Sequence, residues 1–146
     1  MPVSTRRMIC HDQHMFILRA CVCLLILCGP VLAGQPMSAD AFDRYTLGKT
    51  LMYAQGGSAY GAEEYLENRR VRWSFLDGQC KEGVWYEDGG QICFVYEDRT
   101  DPQCWTFTQG ANGLIAQFEN EPEGFELYEA ETSDEPMLCL GPEIGV

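Results

Sequence analysis

The stretch Gln91 to Thr108 reads Q-I-C-F-V-Y-E-D-R-T-D-P-Q-C-W-T-F-T. Its flanks, 91–97 and 103–108, are rich in β-branched and aromatic residues, and the polar run between them turns the chain. With Cys93 set opposite Cys104, Ile92 falls opposite Trp105 and Phe94 opposite Gln103. The apolar Ile92–Trp105 pair then lies on the face away from the cysteines, as a pleat of period two requires. One register satisfies both the hydrophobic pattern and a covalent bridge.

The same period extends in both directions from this hairpin. Glu82–Glu87 precedes it across Asp88-Gly89-Gly90, a tight-turn signal. Arg70–Leu76 alternates Val71, Trp73 and Phe75 with Arg70, Arg72 and Ser74, and Asp77-Gly78 ends it. Thr50–Ala54 is stopped by Gln55-Gly56-Gly57. Downstream, Leu114–Glu119, Phe125–Tyr128 and Met137–Leu140 complete eight short strands. Ahead of them, S-A-D-A-F-D-R-Y-T-L-G from Ser38 has an N-capping serine, an acidic first turn and a closing glycine, which predicts one short helix. The expected fold is mainly β: an antiparallel meander forming a small barrel or sandwich, with a short N-terminal helix across one end.

The first 33 residues carry a different signal. Ala20–Ala33 (A-C-V-C-L-L-I-L-C-G-P-V-L-A) is uncharged and follows Arg6, Arg7 and Arg19. A basic segment, a short apolar run and small residues at its exit mark a secretory signal peptide, with Val31 and Ala33 fitting cleavage after Ala33. Translation from Met1 or from Met15 is compatible with that reading. The run is shorter than the ~20 residues of a membrane-spanning helix and is broken by Gly29-Pro30. Cys28 follows L-I-L and Cys21 follows L-R-A, neither of which suits lipidation. The expected organisation is a signal peptide at 1–33 and a single domain at 34–146, located in a periplasm or outside the cell.

That division sharpens the chemistry. Residues 34–146 hold seven basic and 21 acidic residues, a net charge of about −14. Such a surface repels nucleic acid and anionic lipid and attracts basic partners. Both histidines, His11 and His14, precede Gly34, so Ser-His-Asp and Cys-His catalysis and histidine-containing zinc sites are excluded from the domain. No catalytic constellation is recognisable, and the expected class is a non-enzyme with no cofactor and no metal. Carboxylate pairs of the glycosidase kind are too numerous to single one out.

Four cysteines remain after residue 33: Cys80, Cys93, Cys104 and Cys139. An even number in an oxidising compartment predicts two disulfides, and no C-x-x-C spacing supports zinc. Of three possible connectivities, the register above favours Cys93–Cys104, which leaves Cys80–Cys139.

Sixteen aromatics fall after residue 33. Trp73, Phe75, Trp85, Phe94, Trp105 and Phe107 alternate within strands and are candidates to line a ligand cavity, since barrels of about eight strands hold side chains or one small ligand. Tyr53, Tyr60, Tyr65, Tyr86 and Tyr96 are expected at the rim. The run 119–124 (E-N-E-P-E-G) has alternate carboxylates, but Pro122 and Ala130 depart from a calcium loop, so an acidic turn is expected. Arg69, Arg70 and Arg72 are expected to pair with Glu63, Glu64 and Glu67.

The segments 60–75 (Y-G-A-E-E-Y-L-E-N-R-R-V-R-W-S-F), 78–86 (G-Q-C-K-E-G-V-W-Y), I-C-F-V-Y-E at 92–97 and Q-C-W-T-F at 103–107, with P-M-L-C-L-G-P-E-I-G-V at the end, resemble a family of small exported alphaproteobacterial proteins to which no activity is assigned. The G-x-W…I-C-F…C-W core is the most specific part. The meander is also similar to lipocalin-like small barrels. Neither resemblance carries a catalytic residue.

Two functions are compatible with these features. One is a non-enzymatic envelope binding module for a small apolar or aromatic ligand. The other is an acidic interaction or inhibitor module for a basic partner such as a lysozyme-like hydrolase.

Overall fold

The structure is a computed structural model, and it describes residues 34–120 and 125–140. The expected signal peptide at 1–33 and most of the acidic turn at 119–124 lie outside the described residues.

The helix forms where its capping signals place it. Ser38 Oγ accepts a hydrogen bond from the amide of Ala41 at 3.3 Å, and α1 runs Ala39–Thr46. Gly48 follows with φ +78°, a conformation glycine adopts freely, and its amide donates to the carbonyl of Tyr65 at 2.9 Å. The turn thereby hands the chain directly to the first strand.

Eight strands then run in sequence: β1 (Thr50–Gln55), β2 (Ser58–Tyr65), β3 (Arg70–Ser74), β4 (Lys81–Asp88), β5 (Gln91–Tyr96), β6 (Gln103–Gly110), β7 (Gly113–Phe118) and β8 (Glu126–Ser133). Each pairs antiparallel with the next, and β8 pairs back on β1, closing a barrel. Closure leaves no free sheet edge and rules out the sandwich alternative. The β5–β6 register pairs Ile92 with Trp105, Cys93 with Cys104 and Phe94 with Gln103, as the sequence pattern demands.

Two strand assignments need correction. Ser58–Tyr65 is a full strand, although its Gly, Ala and Glu content is poor in strand formers. Pairing on both sides, to β1 and to β3, overrides that composition. Met137–Leu140, read as a strand, joins no ladder. It is a tail tied to the barrel by individual bonds: Thr50 Oγ1 to the carbonyl of Glu135 (2.9 Å), the amide of Met137 to Glu64 Oε2 (3.3 Å) and the amide of Leu140 to the carbonyl of Gly78 (2.6 Å).

Both disulfides form, Cys80–Cys139 and Cys93–Cys104. The first fastens the tail to the β3–β4 connection. The second lies across neighbouring strands already held by the ladder. Two such bridges belong to an oxidising, non-cytoplasmic environment. No helix among the described residues is long and apolar enough to cross a membrane.

Alternation assigns the barrel interior. Leu51 and Tyr53 point inward from β1, Val71 and Trp73 from β3, Ile92, Phe94 and Tyr96 from β5, and Leu114 and Ala116 from β7, all of them buried. At one end α1 drives Phe42 between the strands, where it is fully buried. Its ring lies 5.5 Å from Tyr65, 5.2 Å from Trp85 and 4.5 Å from Phe107, centroid to centroid. Tyr45 Oη donates to Glu129 Oε2 at 2.8 Å, and the amide of Leu114 donates to the same oxygen. Burial and then this carboxylate push the Tyr45 phenol up to about 12. The helix is therefore pinned on β7 and β8 and closes its end of the barrel.

The arginine cluster also resolves differently from expectation. Arg72 pairs with Glu64 at 3.2 Å, as expected, and with Glu82 at 2.6 Å. Arg69 stands 4.6 Å over the Trp85 ring. Glu63 makes no ion pair with any of them, because alternation turns it into the barrel.

Candidate functional site

The end opposite α1 is open. It is formed by the connections β1–β2, β3–β4, β5–β6 and β7–β8, and below it lies a cavity of about 370 Å³. That size falls in the range of small-molecule sites, roughly 300–1,000 Å³. The barrel is thus filled in one half, under Phe42, and hollow in the other.

Five of the six candidate lining residues meet at this cavity: Trp73, Phe75, Phe94, Trp105 and Phe107. Trp73, Phe94 and Phe107 are buried in its walls, while Phe75 is 51 % exposed at its mouth. Trp85 is the exception. It points inward but lies in the filled half, against Phe42 and beneath Arg69. Missed by the sequence reading were Phe118 and Phe125, which pack on Trp105 with centroids at 4.7 and 5.4 Å. With Tyr60, 5.7 Å from Phe125 and 6.1 Å from Trp73, they complete an aromatic collar.

The tyrosines correct the expectation of a rim position. Tyr53, Tyr65 and Tyr96 are buried inside the barrel, and only Tyr60 and Tyr86 are partly exposed or exposed. The Tyr53 and Tyr65 hydroxyls bond each other at 2.9 Å. Tyr96 Oη donates to Glu63 Oε2 at 2.8 Å. Burial holds all three phenols well above the ordinary tyrosine range, so they remain neutral donors.

Glu63 is the polar group of the cavity. It is 3 % exposed, and its Oε1 has no hydrogen-bond partner among the described residues. Burial raises its carboxyl to about 8, against the opposing pull of the Tyr96 hydroxyl. A close approach explains how the carboxyl is enclosed. Gly61, two residues before it on the same face, lies under the Trp73 indole, and a Cβ there would fall within the ring's van der Waals surface. The absence of a side chain lets the Trp73 indole approach the β2 backbone at Gly61, beside Glu63, its partner in the β2–β3 ladder.

Charge returns at the mouth. Lys81 pairs with Asp98, whose carboxyl is held below its usual range by the lysine, and Arg99 lies beside them on the β5–β6 connection. The arrangement is an apolar, aromatic-walled cup with one buried acid, three phenols and a charged rim. It has the size to enclose a small molecule, with Glu63 and the phenols as its interior polar groups.

No protein-family model matches the chain, and searches of curated proteins and of solved structures found no match.

Proposed function

We propose that this protein is a non-enzymatic binding module of the cell envelope that holds a small apolar or aromatic ligand inside its barrel. It reaches a periplasm or the exterior by cleavage of residues 1–33 after Ala33. The observation that carries this reading is the open, aromatic-walled cavity of about 370 Å³. A barrel built only for stability would gain by filling that space, since voids forfeit dispersion contacts. The closed barrel is consistent with a small ligand-holding barrel, and the two disulfides with an oxidising, non-cytoplasmic location. The net charge of about −14 keeps a second reading in view, an acidic module that engages a basic protein. That function needs no hollow interior, so the cavity favours the first.

Ala116 lines the cavity and is buried, so a phenylalanine there projects into the space a ligand would take. Native mass spectrometry of the protein purified from its own compartment is expected to show a small-molecule mass that disappears on denaturation. Ala116→Phe, folded by circular dichroism, is expected to carry none. A bare-chain mass for both proteins overturns the proposal.

A further inference from the structure

We propose that the ligand is an organic amine, whose ammonium meets Glu63 Oε1 while its aromatic or branched apolar body lies against Trp73, Phe94 and Phe107. This inference rests on the ligand-cavity reading above and specifies its chemistry.

Three observations converge on it. The first is the unpartnered oxygen. Glu63 is buried, Tyr96 satisfies Oε2, and Oε1 lacks a partner among the described residues, in a cup walled largely by aromatic rings. Buried polar atoms are normally paired, and one left without a partner, in a side chain that lines a cavity, is satisfied by a donor on a ligand that reaches it. The second is the sign of the field. Residues 34–146 carry a net charge of about −14, which draws cations toward the molecule. The third is the wall itself. Indole and phenol faces are negative at their centres and attract an ammonium that has shed water.

The groups around Glu63 are consistent with a cation there. From β1, β2 and β5 it faces the Tyr53, Tyr65 and Tyr96 hydroxyls, all neutral. From β3 it faces Trp73. No basic side chain pairs with it among the described residues. The cations of this end, Lys81 and Arg99, belong to the mouth, and Lys81 is neutralised by Asp98. Binding is also coupled to a proton. The free carboxyl, raised to about 8, is protonated at neutral pH, and an ammonium beside it restores the charged form. The balance is one proton released to solvent from Glu63 for each amine bound as its ammonium.

Calorimetry with three indole probes separates the possibilities: tryptamine, tryptophol and 3-ethylindole. At about pH 9, where the Glu63 carboxyl is ionised, tryptamine is expected to bind about ten- to a hundredfold more tightly than either neutral probe, the scale of a hydrogen bond to a charged group. Near pH ~6.5, buffers of different ionisation heat are expected to show release of close to one proton per tryptamine. Glu63→Gln is expected to lose both the preference for tryptamine and the proton release. Equal affinity for all three probes, or tighter binding of tryptophol, overturns the amine assignment and leaves the cavity reading standing. Binding of none of them overturns the cavity reading, and the inference with it. The native protein alone decides between these results, whatever the fold of the variant.

Discussion

Glu63→Gln is expected to make the protein more stable than the native chain by roughly 4–5 kcal/mol at about pH 8.5, and to change it little at pH ~5. The reason is the burial of Glu63, which raises its carboxyl from the ordinary 4.5 to about 8 in the folded state. At pH values below 4.5 the group is protonated in the folded and unfolded chains alike, and it imposes no electrostatic penalty. As pH rises, the unfolded chain releases the proton while the folded one retains it. Each unit then removes about 1.4 kcal/mol of stability. Above pH ~8 the folded carboxyl ionises too, and the loss reaches its full value. Glutamine has the same shape and no proton to lose, so the variant lacks this slope. Urea unfolding of both proteins across that range measures it. The pairwise difference removes the contribution of the exposed carboxylates, which titrate alike in the two. A difference that does not vary with pH would mean that Glu63 is ionised in the fold.

Removing the Cys80–Cys139 bridge by the paired change to alanine is expected to cost about 4 kcal/mol, against about 3 kcal/mol for Cys93–Cys104. These values follow from loop closure in the unfolded chain, with sequence separations of 59 and 11. In a domain of this size the first loss lowers the melting midpoint by roughly 15–20 °C. The two also differ in kind. Cys93 and Cys104 are already opposed in the β5–β6 ladder. Among the described residues, the tail that carries Cys139 is held to the barrel by three bonds, from Glu135, Met137 and Leu140. Loss of Cys80–Cys139 is therefore expected to expose the 134–140 segment to proteolysis while the barrel persists. Calorimetric melting and limited proteolysis read the two effects. The reverse order of stability, or a tail that stays protected, would place the tail's anchorage elsewhere.

Much of the fold was legible because two independent constraints met in one place. Around Ile92–Trp105 the alternation and the cysteine positions allowed a single register, and the neighbouring Gly-Gly turn extended it to β4. The strand that escaped notice, β2, shows why local reading fails. Gly61, Ala62, Glu63 and Glu64 have weak strand propensity, and the segment is extended because β1 and β3 supply partners on both sides. The apolar M-L-C-L at 137–140 erred the other way. It resembles a strand in composition but stays outside the ladder, held among the described residues by a disulfide and the amide bonds of Met137 and Leu140.

That missed strand hid the central residue of the site. On a chain this acidic, Glu63 reads as solvent-facing. Yet once β2 is placed, alternation must send one of two adjacent glutamates inward. Gly61, Glu63 and Tyr65 share the interior face, and Glu64 turns outward to Arg72. The aromatic walls were visible from the sequence, but their division was not. Trp85 and Trp105 occupy equivalent pleat positions, and only the helix decides that Phe42 fills the half containing Trp85. The buried positions of Tyr53, Tyr65 and Tyr96 likewise depend on hydroxyl pairings between strands, Tyr53 with Tyr65 and Tyr96 with Glu63.

Whether the open half of the barrel admits a ligand is tested most directly by soaking crystals with 1-bromonaphthalene and locating the bromine by its anomalous signal. A peak is expected inside the barrel, in contact with the rings of Trp73, Phe94 or Phe107, and is expected to vanish in Ala116→Phe. Rings closed across the space, with bromine found only on the outer surface, would contradict the ligand cavity.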